Sequence, residues 1–215
     1  MLFMRLEKIL PKRLKEGLTQ AEKKLLELVV EGKEADFSSP SDDQNDPTKW
    51  DNWGPERKIR AVLLHWLCTN SQAAELIHSK GIRIRGALIE GHLDFEGARL
   101  HHRLFLNSCA IPEGVNLTDA RTRTLNLSKS YTSGIVANGL IVEGDLELSG
   151  LTCNGEVQLR GAKIQGQLIF SGAKLENPKG FALNANRITV EGSVFLQNGF
   201  HASGEMRLIG AQIKG

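Results

Sequence analysis

Apolar residues follow two different rhythms along this 215-residue chain. Up to about residue 80 they recur at three- and four-residue intervals; from residue 81 they alternate with polar ones. The first rhythm predicts helices. Thr19 and Glu22 form the Ser/Thr-x-x-Glu signature of a helix start, an apolar run over 25–30 follows, and Gly32 stands at the C-cap position. Residues 37–52, "FSSPSDDQNDPTKWDN", read as a loop. "GPERKIRAVLLHWLCTN" then predicts a helix opened by Pro55, with Ile59, Val62, Leu63, Trp66 and Leu67 at helical spacing. A short helix from Ser71 to before Gly81 ends this half.

The second rhythm carries a repeat of about eleven residues, visible in rows such as GALIEGHLDFE, GLTCNGEVQLR and GAKIQGQLIFS, and 19 of the 22 glycines lie within it. Near the end of each row stand two apolar columns. The first runs from Leu93, Leu104 and Val115 through Phe181, Val194 and Met206; the second runs from Phe95, Leu106 and Leu117 through Leu183, Leu196 and Leu208. All twenty-two positions are apolar, so both columns point inward. A small residue earlier in each row, often Ala, is followed two places on by Ile, Leu or Val.

Two inward pairs in eleven residues leave no room for hairpins, because each strand would be two or three residues long. Winding resolves this: two rows make one coil of about 22 residues with four faces, and each short strand stacks on its equivalent about 4.8 Å away. The predicted class is mainly β, a four-faced parallel β-helix over 81–215 behind a helical capping segment over 1–80. Trp50, Trp53 and Trp66 are expected in that cap. The closing "GAQIKG" stops midway through a row, so the native protein is expected to continue beyond 215 or to dock that end on a partner or another copy.

The small-x-Leu pattern at Ala87-x-Ile89, Ala98-x-Leu100, Ala162-x-Ile164 and Ala173-x-Leu175 resembles the pentapeptide-repeat class of right-handed β-helices. Strict members of that class repeat every five residues, whereas this chain alternates five with six. The segments "LTQAEKKLLELVVEGKEADF" (18–37) and "WGPERKIRA" (53–61) are similar to the helical lead-in of a variant bacterial group. Members of that group are sometimes labelled membrane-associated oxidoreductases, a name that no residue here supports.

Charge and cysteine content narrow the chemistry. With 27 Lys plus Arg against 25 Asp plus Glu, the net charge of +2 does not describe a general nucleic-acid binder. Cys68, Cys109 and Cys153 lack metal spacing and read as buried small hydrophobes in a reducing, cytoplasmic setting, with a peripheral contact at the inner membrane as the extension of that reading. No run reaches the roughly 20 apolar residues of a membrane span. Residues 2–18 are amphipathic and basic, with Pro11 as an obstacle to one continuous helix. Nucleotide, Walker, GxSxG, HExxH and EF-hand patterns are absent, so no cofactor, metal ligand or catalytic residue is assigned. The His101-His102 pair reads as solvated at a bend rather than as a metal site.

Two outward columns remain as candidate sites. Arg99, Arg121, Ile141, Lys163, Arg187 and Gln212 follow the small slot on every second row, and Arg99, Arg121, Lys163 and Arg187 form a candidate anion-binding stripe, with Arg83, Arg85, Arg103 and Arg123 nearby. Phe105, Asn126, Glu147, Ile169 and Phe195 form the other, in which Phe105, Ile169 and Phe195 are candidate protein contacts. The leading expectation is a non-enzymatic scaffold or protein-interaction domain working through a flat face or its open C-terminal end. The alternatives are a module for anionic ligands or membrane headgroups, and an enzyme with a site across the first coils.

Overall fold

The alternating half of the chain winds into six coils whose short strands stack in parallel, each on its equivalent in the next coil. The computed structural model describes residues 2–215. Four strand columns build the wall. The first face stacks Ile82–Arg85, Leu104–Asn107, Leu125–Asn126, Leu146–Glu147, Leu168–Ile169 and Val194–Phe195. The second carries Leu88–Glu90, Ala110–Ile111, Tyr131–Thr132 and Thr152–Cys153; the third carries Leu93–Asp94, Val115–Asn116, Ile135–Val136 and Val157–Gln158. In the fifth coil one long strand, Lys174–Asn184, joins these two faces, and it pairs with His201–Arg207 of the sixth. The fourth face stacks Arg121–Thr122, Ile141–Val142, Lys163–Ile164, Thr189–Val190 and Gln212–Ile213. The fold is therefore a parallel β-solenoid of about 22 residues per coil.

Inward positions of the first five coils are almost wholly dry, with Phe95, Leu106, Phe170 and Val190 at 0% exposure. Each such side chain contributes about 1.5–3 kcal/mol of burial. Polar residues enter this interior where a backbone carbonyl is in reach. Ser130 donates to the Leu106 carbonyl at 2.7 Å and accepts from the Cys109 amide at 2.9 Å, and Thr132 donates to the Gly134 carbonyl at 3.1 Å.

Two corners of every coil use left-handed backbone. One stacks Gly86, Ser108, Lys129, Gly150, Gly172 and Asn198; the other stacks Gly97, Asp119, Gly139, Gly161, Arg187 and Gly210, all at φ between 50° and 70°. Gly161 and Gly172 are among the glycines that hold this conformation. Gly166 is required for a different reason: a Cβ there would sit 2.7 Å from the Gly144 carbonyl carbon.

One pair of the expected inward columns shifts. Val157 pairs with Leu183, and Leu159 donates to the Asn184 carbonyl, so Leu183 and Ala185 occupy the slots expected for Phe181 and Leu183. The insertion over 176–181 moves the register by two residues. Phe181 lies outside instead, with the Arg207 guanidinium 4.5 Å from its ring centre.

The helical half is α1 (Leu2–Ile9), α2 (Lys12–Lys15), α3 (Gln20–Glu31), α4 (Ala61–Thr69) and α5 (Ser71–Ala74). Pro11 separates α1 from α2, and Leu6, Leu10 and Leu14 bury against the cap. Thr19 and Glu22 close their capping box at 3.1 Å in both directions, and Gly32 ends α3 at φ 67°. The helix expected from Pro55 begins later: Pro55 opens a short 3-10 turn, Ile59 lies on a strand, and α4 starts at Ala61. The cap of α5 is Asn70, whose side chain accepts from the Ala73 amide at 2.9 Å.

Two strands inside this half extend the solenoid. β1 (Ala35–Asp36) pairs with Ile84 and Arg85 of the first face, and β2 (Lys58–Arg60) pairs with Leu88–Glu90 of the second. They form half of a preceding coil, and α4 covers the rest. Trp50 and Trp53 stand elsewhere than expected. The loop between β1 and β2 straps across the outside of the second face, where the two indoles cover Leu88 and Ala110.

Candidate functional site

The fourth face resolves the expected basic stripe into a local cluster. Arg99 bridges directly to Arg121, Arg121 to Ile141, Ile141 to Lys163, and Lys163 to Thr189. Thr189, not Arg187, therefore stands next in the column. Arg187 occupies the corner position of Gly161, in left-handed backbone at φ 57°, because the same two-residue shift carries it back. There it borders a different cleft of about 410 Å³ with Arg160, Asn186 and Ile209.

Arg83 and Arg85 leave the picture as well. They project from the first face and contact Glu34 at 3.9 and 3.2 Å. Arg123 joins the cluster from the bend that follows the Arg121–Thr122 strand. Arg99, Arg121 and Arg123, with His101 and Glu143, line a cleft of about 300 Å³ over Leu100 and Thr122. All three guanidiniums are exposed, and among the described residues none lies within 4.0 Å of a carboxylate. Lys163 is also unpaired but stands two coils above Arg121, about 10 Å away at the strand spacing.

The histidine pair next to this cleft is structural rather than solvated. Both rings are half-buried. His101 Nε2 lies 3.1 Å from the Thr69 carbonyl at the end of α4, and His102 Nε2 lies 2.9 Å from the Ala74 carbonyl at the end of α5. A carbonyl only accepts, so each Nε2 carries a proton and donates. These bonds pin the first coil to the cap. Among the described residues no group of three or more His, Cys, Asp or Glu side chains is arranged to hold a metal.

The expected protein-contact column is in register: Phe105, Asn126, Glu147, Ile169 and Phe195 stack in that order. Asn126 and Glu147 split it into two parts. Phe105, Ile169 and Phe195 are each half-buried, and Ile169 with Phe195 lies beside the last coil.

That last coil has the largest apolar exposure in the solenoid. Leu196, Leu208 and Ile213 are 40%, 37% and 47% exposed, although each points inward like Phe170, Ala185 and Val190 one coil earlier, which are 0–1% exposed.

A third region gave no signal in the sequence. Beneath the strap is a cleft of about 560 Å³ lined by Phe37, Asp43, Lys49, Trp53, Glu56 and Arg57, among others. Arg57 is only 4% exposed, donates to the Gln44 carbonyl and the Asn45 side-chain oxygen at 3.2 and 2.8 Å, and lies 4.5 Å from the Trp53 ring centre. Burial pushes its pKa down from the ordinary arginine value. Its donors hold the strap closed.

The cysteines are free and buried, and burial pushes the Cys109 and Cys153 thiols up to about 12. Among the described residues no helix is long and apolar enough to cross a membrane. Comparisons with protein-family models, with curated proteins and with solved structures found no match for this chain.

Proposed function

We propose that this chain is a non-enzymatic scaffold that associates end-on, through its sixth coil, with a second copy of itself. One observation carries the reading: inward side chains that are dry in every preceding coil are 37–47% exposed at Leu196, Leu208 and Ile213. Among the described residues, the strands Val194–Phe195, His201–Arg207 and Gln212–Ile213 pair along one edge only, with the fifth coil. A second coil face of the same chemistry covers both the apolar side chains and the edge. Ile169 and Phe195 widen that surface around the rim, whereas Phe105 lies too far down the first face to join it.

The stacked small-x-Ile/Leu slots support placing the solenoid near the pentapeptide-repeat class, and the free buried thiols support a reducing compartment. Sedimentation of the 215-residue chain tests the association. The expected result is a dimer that persists at high salt and becomes monomeric in the double variant Leu208→Lys, Ile213→Lys. A monomer at all concentrations overturns the reading.

A further inference from the structure

The arginine cleft on the fourth face does not depend on end-on association. We propose that Arg99, Arg121 and Arg123 form a compact site for a multiply charged oxyanion of the phosphate class, such as pyrophosphate or the phosphate chain of a nucleotide. Arg99 and Arg121 are directly opposed in a parallel bridge, which sets their side chains on one side of the wall about 4.8 Å apart. Arg123, at the bend just past the Arg121–Thr122 strand, lines the same cleft. Three planar, permanently charged donors therefore converge on one cleft of about 300 Å³.

Like charges directly opposite on a ladder are destabilising, and some cations elsewhere in this protein stand against a carboxylate. Lys58 meets Glu90 at 3.1 Å, and Arg85 meets Glu34 at 3.2 Å. The contrast is sharpest within one column of the fourth face. Glu191 and Lys214, in adjacent coils, close an ion pair at 2.8 Å; Arg123 and Glu143 occupy equivalent adjacent positions lower down and do not close to 4.0 Å. The arginines thus lack an ion pair although Glu143 borders the cleft, and a bound oxyanion would reverse their repulsion through bidentate, charge-assisted hydrogen bonds.

The shape of the cluster selects the ligand. Ile141 stands directly above Arg121, so the basic column is interrupted before Lys163. An extended polyanion or a charged lipid surface draws on a continuous stripe, whereas three arginines within one cleft match a small, highly charged group. His101, tied to the Thr69 carbonyl, and the buried Leu100 and Thr122 make the floor rigid, which lowers the entropy lost on binding.

Calorimetric titration with pyrophosphate at low ionic strength tests this, with inorganic phosphate and sulfate as comparators and phosphatidylserine vesicles as a separate arm. Pyrophosphate is expected to bind more tightly than phosphate or sulfate and to weaken as salt rises. Arg99→Gln and Arg121→Gln should each weaken it by about tenfold, while Lys163→Gln changes it less than about twofold. All three positions are exposed, so unchanged circular dichroism checks that each variant folds. The proposal is overturned if pyrophosphate does not bind, if Lys163→Gln weakens it as much as Arg121→Gln, or if only vesicles bind.

Discussion

The two ends of the solenoid are built from the same kind of coil and meet different fates. At the N-terminal end Ile82, Ile84, Ile89, Leu93 and Phe95 are 0% exposed, because β1 and β2 continue two of the faces and α4 lies over the others. The His65 ring stacks on Phe95 with centres 5.6 Å apart, and its Nδ1 lies 2.6 Å from the Asp94 carbonyl. At the other end Leu196, Leu208 and Ile213 occupy equivalent slots and remain 37–47% exposed. An inward position is therefore dry only if something stacks on it. Alternation determines where a side chain points, and the neighbouring layer determines what that direction contributes.

Substitution within a single column gives the largest expected contrast. Leu148 and Leu196 share the second inward position of the first face, two coils apart, at 1% and 40% exposure. Leu148→Ala should cost about 3–4 kcal/mol in urea unfolding and Leu196→Ala about 1 kcal/mol or less. Equal losses would mean that the last coil is covered in solution, and a matching loss at Leu196 that disappears on dilution would assign the cover to a second copy.

The capped end depends on one buried carboxylate. Glu22 is fully buried; it completes the capping box, and its Oε1 accepts from Arg60 Nε at 2.7 Å and from the Arg60 amide at 3.0 Å. Glu22→Ala should lower stability by about 3 kcal/mol, since Arg60 is left without its carboxylate and α3 keeps only the Thr19 half of its capping box. It should also expose the first coil, read as increased hydrogen exchange at Ile82 and Ile84. A loss of stability with no change in exchange there would show that the cap and the solenoid unfold separately.

Corner chemistry predicts a smaller effect of opposite sign. Arg187 adopts φ 57° at a position where four of the six coils place glycine. Arg187→Gly should stabilise by about 0.5–1 kcal/mol, measured by the urea midpoint, and leave pyrophosphate binding unchanged.

The smallest effect concerns the buried thiols. Unfolded cysteine titrates near 9.0, while burial holds Cys109 and Cys153 protonated up to about 12. Between those values the folded chain keeps protons that the unfolded chain has lost, so this contribution to stability is complete below 9 and declines as pH rises toward 12. The urea midpoint should fall slightly between about pH 8 and pH 9.5, and the fall should shrink in Cys109→Ala.

The sequence rendered the repeat, its inward columns and the helical cap legible because alternation and capping are properties of residues close together in the chain. The Thr19–Glu22 box and the Gly32 C-cap fall where expected for that reason. Register across the insertion was not legible. Phe181 with Leu183 and Leu183 with Ala185 differ by two residues, and a shift of two leaves every side chain on the same side of a strand. Alternation is blind to such a shift. The same two residues moved Arg187 out of the basic column and put Thr189 there.

What the sequence determined by itself was the coil: its length, which residues face inward away from the 176–181 insertion, and that cysteines and small residues fill its narrow slots. What only the tertiary structure decided was which coils become neighbours of what. It set Trp50 and Trp53 on an outer face instead of the end, tied His101 and His102 to helix termini, paired Arg83 and Arg85 with Glu34, and left Arg99, Arg121 and Arg123 in one cleft without an ion pair. The physical reason is range. Periodicity records the chain's local geometry, whereas charge compensation and cover depend on contacts between residues tens of positions apart, which local geometry leaves open.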